Sequence, residues 1–152
     1  MAYTKEERFA VNCALERIRT REKNRKQPGV TQEDARDLMV IGDLITMRLE
    51  AEEPHEESTL ADAALYLRYL AASYQRLKNA DKANACWSLL IEVQCERVAS
   101  FSQDSESLAD DLFAAAMACA PATQEALVAK TAPYLGEENA RAITTLAQSV
   151  SP

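Results

Sequence analysis

Residues 58–78 read STLADAALYLRYLAASYQRLK. Leu60, Ala63, Ala64, Leu67, Leu70, Ala71, Tyr74 and Leu77 recur there at spacings of three and four, which lays them along one stripe of an α-helix. Leu65, Tyr66, Tyr69 and Ala72 form a second apolar side. A helix that is apolar on two sides is usually sandwiched between others, so this segment is expected at the centre of an all-α fold, from Ser58 or Thr59 to Lys78.

The flanking sequence repeats the pattern. Upstream, Leu38, Ile41, Ile45 and Leu49 share one face of a helix from about Thr31 to Glu52, closed by Pro54. Before it, Thr4-x-x-Glu7 is a capping box that opens a helix running to about Lys26, and Gln27-Pro28-Gly29 ends it. Downstream, the short turn Asn79-Ala80-Asp81 leads into a helix to about Ala99 that points Ala83, Trp87, Leu90, Ile91 and Val98 inward. So short a turn predicts an antiparallel hairpin. Phe101 to Ser107 reads as a loop. Beyond it lie a helix from Leu108 to Ala120 and two shorter ones, about Ala122 to Thr131 and Glu137 to Ser149, marked off by Pro121, Pro133 and Gly136. The run Ala114-Ala115-Ala116-Met117-Ala118 allows another helix to approach closely.

The expected fold is thus six or seven helices in antiparallel hairpins, a bundle or a repeat-like array, forming one domain over residues 1–152. A chain of 152 residues with 47% apolar and 27% charged residues can build a core without staples. Its three Gly and five Pro are too few for a sandwich or barrel of short strands, which needs a turn every eight to twelve residues or so.

The hairpin over about residues 60–95 resembles a tetratricopeptide repeat, a helix-turn-helix unit of about 34 residues. Leu70, Ala71 and Tyr74 match its first helix, Lys78-Asn79-Ala80-Asp81-Lys82-Ala83 its turn, and Trp87 the aromatic position of its second helix. The family's closing Pro is absent, its turn Gly is replaced, and Leu90 stands at its last small position. The resemblance implies peptide or protein binding and no chemistry, as in small acidic adaptors and secretion chaperones.

Composition excludes several function classes. The charged start, Met1 to Arg8, is unlike a secretory signal, and the longest apolar run, Leu112 to Ala122, is too short to span a bilayer, which points to the cytosol. Cys13, Cys86, Cys95 and Cys119 show no C-x-x-C, and nine residues of helix put Cys86 and Cys95 on opposite faces. The single histidine, His55, lies in the acidic stretch Glu50 to Glu57. A metal site with Glu52 or Glu56 fits no motif, and a solvated acidic loop is the expectation. One histidine cannot supply a di-iron bundle, and isolated Gly29, Gly42 and Gly136 make no phosphate loop. No enzyme activity, cofactor or metal is expected.

The most unusual local feature is Arg17 to Lys26, where one acid sits among six bases. Arg17, Arg21 and Arg25 form one stripe, and Arg19, Lys23 and Lys26 another, so the end of this helix is expected to project past the core. Residues 1–30 carry eight bases and four acids, against a chain net charge of −7. Such asymmetry suits self-association or an acidic protein partner. Nucleic acid is the second expectation, disfavoured by the acidic body because screening over about 8 Å only partly hides it. Tyr66 and Tyr69, off the main stripe, are the aromatic candidates for a binding groove, whereas Tyr74 and Trp87 read as core. The leading expectation is therefore a non-enzymatic protein-interaction module that uses these bases and tyrosines.

Overall fold

A computed structural model describes residues 3–24, 32–119 and 121–150. They form seven α-helices and one short 3-10 turn, with no strand among the described residues. The chain divides into two compact helical units at Asn79/Ala80. That boundary falls within Asn79-Ala80-Asp81, the short turn expected from the sequence.

The first unit holds α1 (Lys5–Asn24), α2 (Gln32–Ala51) and α3 (Glu57–Arg76). The capping box forms as its residues dictate: the Thr4 amide donates to Glu7 Oε1 at 2.9 Å, and the Glu7 amide to Thr4 Oγ1 at 3.1 Å. Ion pairs record the helix directions. Glu7 meets Arg48, Arg17 meets Asp37 and Arg21 meets Asp34, so residue numbers fall along α2 as they rise along α1, and the two are antiparallel. Arg8 meets Asp62 and Glu22 meets Arg76, both at an offset of 54, so α1 and α3 are parallel. An up-down-up bundle follows, with all three helix pairs in contact. Its core includes Val11, Ala14 and Ile18 of α1, Ile41 and Ile45 of α2, and Leu60, Ala63 and Leu67 of α3.

Two sequence expectations change here. Leu77 lies just past α3, is 61% exposed, and leaves the core stripe. The last turns of α1 do not project freely, because Arg17, Arg21 and Glu22 are tied to α2 and α3 by the ion pairs above.

The second unit holds α4 (Ala80–Phe101), α5 (Ser105–Ala118), the 3-10 turn (Pro121–Thr123), α6 (Gln124–Leu135) and α7 (Glu137–Val150). Leu90, Ile91, Leu108, Leu112, Leu127 and Val128 are buried. The predicted loop before α5 is shorter than expected: α4 runs on to Phe101, and Asp104 caps α5 by accepting the Glu106 amide at 3.0 Å. α6 passes through Pro133 instead of stopping at Thr131. The proline lies in the last turn, so the N–H it lacks removes only one hydrogen bond near the helix end. Gly136, at φ 86°, then supplies the left-handed cap that an L side chain resists. No described helix is long and apolar enough to cross a membrane.

Candidate functional site

The basic stretch is divided by its partners. Arg17 donates to Asp37 through Nε at 3.1 Å and Nη2 at 2.9 Å, and Arg21 reaches both Asp34, at 2.5 Å, and Asp37. Both aspartates are buried on α2. Burial alone would raise the Asp37 carboxyl, but hydrogen bonds from Arg17 and Arg21 outweigh it and hold the group below its usual range. One face of the expected anion-binding stretch is therefore occupied from within the chain. Arg19 pairs with Glu16 on the surface and Lys23 is exposed, while Arg25 and Lys26 lie outside the described residues. Neither Asp34 nor Asp37 is singled out by the local sequence pattern. The signal was present, since α2 offers two acids three apart where an antiparallel α1 offers two bases four apart.

The acidic stretch around His55 is also more structured than expected. Glu52 is buried, and His55 Nε2 lies 2.7 Å from the Leu49 carbonyl oxygen. Arg48 is buried between α1 and α2, its Nη2 2.6 Å from Glu7 Oε1, and both Arg48 and Arg8 stack over the Tyr3 ring. Burial, with Asp62 nearby, pushes the Tyr3 hydroxyl up to about 12. The cluster anchors the chain start against α2 and α3. Among the described residues no three His, Cys, Asp or Glu side chains group as a metal site.

All four cysteines are free thiols. Burial raises Cys95 to about 11 and also raises Cys86 and Cys119, so few of these thiols are nucleophilic thiolates at neutral pH.

A further surface feature is a groove of about 370 Å³ between α2 and α3. Leu38, Met39, Tyr66, Leu70, Tyr74 and Leu77 give it an apolar lining, and Asp43 is its single charged side chain among the described residues. Tyr66 lines this groove. Tyr69 does not line the groove and is half-buried, and Tyr74, expected in the core, takes its place. Trp87 is buried, as expected.

The floor of the groove depends on Gly42. A Cβ there would lie 2.6 Å from the Tyr66 hydroxyl oxygen and 3.1 Å from its Cζ. Alanine ordinarily stabilises a helix interior by about 1 kcal/mol over glycine. Here Gly42→Ala is expected to destabilise by about 1 kcal/mol instead, because the ring must leave its seat. In a Tyr66→Ala background the same change should stabilise by about 1 kcal/mol, a reversal that urea titration of the four proteins would read directly.

The groove continues onto the outer face of α2. Met39 is 73% exposed, Met47 55% and Val40 42%. Arg36, Asp43 and Glu50 lie on the same face, exposed, with no ion pair or hydrogen bond among the described residues. No known family model, curated protein or solved structure matches the chain.

Proposed function

We propose that the chain is a non-enzymatic protein-interaction module of the cytosol: an adaptor, chaperone or assembly subunit. The observation that carries this is the set of exposed apolar residues Met39, Val40 and Met47 on α2, of which Met39 also lines the groove of Tyr66, Tyr74 and Leu77. Single exposed apolar residues are ordinary, but exposed apolar side chains beside an apolar groove and bordered by charges are the surface type that proteins use to bind one another. Methionines suit it, because their flexible polarizable side chains adapt to a partner. The tetratricopeptide resemblance of residues 60–95 agrees with this function. A nucleic-acid role has less support, since Arg17 and Arg21 spend their charge on Asp34 and Asp37.

The test is quantitative capture on the purified tagged protein, wild type against Met39→Glu/Leu77→Glu, with helical content checked by circular dichroism. Both sites are exposed, so the variant is expected to fold. Proteins retained from the source lysate by the wild type should fall at least tenfold with the variant. Equal retention by both would refute the assignment of this surface.

A further inference from the structure

The outer face of α2 is self-complementary. Arg36 and Glu50 lie seven residues either side of Asp43, and Met39 and Met47 lie four residues either side. At about 100° per residue all five fall within a sector of roughly 80° of the helix, and all five are exposed. When a second α2 is laid antiparallel across this one with the two-fold axis at residue 43, each Arg36 meets a Glu50 and each Met39 meets a Met47. These are the relations an isologous interface requires.

We infer that the α2 outer face binds a second copy of this chain, forming an antiparallel two-fold dimer centred on Asp43. This rests on the interaction-module function proposed above and names its partner. Three features support the choice of occupant. The end charges are opposite in sign, so two ion pairs form where a parallel pairing would set like charges together. Neither Arg36 nor Glu50 has a partner within the described residues that it would have to leave. The methionines between them can interdigitate without a fixed shape.

Size and the centre limit the strength. One helix face per subunit buries less than the roughly 1,200–2,000 Å² of a standard interface, so association is weak and rises with concentration. Asp43 faces its own copy at the axis, and two carboxylates brought together there repel. The dimer is therefore a reversible one, held by its ends and opposed at its middle.

The experiment is sedimentation equilibrium of the full chain at neutral pH over a wide concentration range, for the wild type and five surface variants. The wild type should pass from monomer to dimer. Arg36→Glu and Glu50→Arg each turn two attractive contacts into two repulsive ones and should weaken the dimer roughly tenfold. Their combination restores opposite charges and should return the affinity to within about threefold of wild type. Asp43→Asn should tighten the dimer severalfold, and Met39→Glu should abolish it. A wild type that stays monomeric throughout overturns the dimer, and the lysate capture above then decides the broader function by itself. A dimer that the charge swap fails to rescue, or that Met39→Glu leaves intact, overturns this interface.

Discussion

Asp37→Ala is expected to lower the free energy of unfolding by about 3 kcal/mol at neutral pH, measured by urea titration. Asp37 is 5% exposed and accepts hydrogen bonds from both Arg17 and Arg21. Removing one member of a buried charge network commonly costs about 3–5 kcal/mol, because the opposite charge loses its compensation. The lower end applies because the Arg17 side chain is half-exposed and recovers hydration. Acid should erase the difference. The folded carboxyl lies below its ordinary 3.8, so its contribution is complete above that value and disappears as pH falls through the folded value. Wild type and variant should therefore keep their full difference down to about the ordinary 3.8 and approach one another only below it, as the folded carboxyl protonates. Asp62 has the opposite sign: burial raises it despite its 2.5 Å contact with Arg8. Its carboxylate opposes folding at neutral pH, and that opposition eases as acid protonates it, so Asp62→Asn removes a compensating gain and should steepen the loss of stability in acid.

The helices of this chain were legible because their signals are local. The period of residues 58–78, the Thr4–Glu7 box and the punctuation at Pro54 and Gly136 each act within one or two turns, and the seven helices observed follow them. Boundaries shifted where a local breaker met a helix end, as at Pro133, or where a side chain supplied an unforeseen cap, as at Asp104. The surface was harder to read. Arg17 and Arg21 look like an open basic stripe until α1 and α2 are known to be antiparallel in a register that sets Asp34 and Asp37 beside them. Tyr74 fits the core stripe of α3 by period, yet it lines a groove whose depth depends on Gly42, 32 residues away in sequence. Pairings between helices are tertiary facts, and a one-dimensional period carries only half of each.

The alanine run of α5 was legible in kind, and its consequence can be measured. α5 and α7 are in close contact, and both bury small side chains: Ala115 and Ala116 on α5, and Ala140, Thr144 and Ala147 on α7. A helix pair faced with alanine approaches to the short end of the usual 8–10 Å range. Ala140 is fully buried, so Ala140→Leu has no solvent into which the added branch can turn. Overpacking of this kind commonly costs 1–3 kcal/mol. The top of that range, about 3 kcal/mol, is expected here, because backing α7 away also loosens the fully buried Leu108 and Leu112 of α5. Leu146→Ala on the same helix is the control. Leu146 is 56% exposed, so the change should stay within about 0.5 kcal/mol. Thermal melts of the two variants therefore test the assignment of the inner and outer faces of α7. Equal losses would mean that α7 is rotated from the orientation described, whereas a large loss at residue 140 alone would establish close small-residue packing as what holds the second unit together.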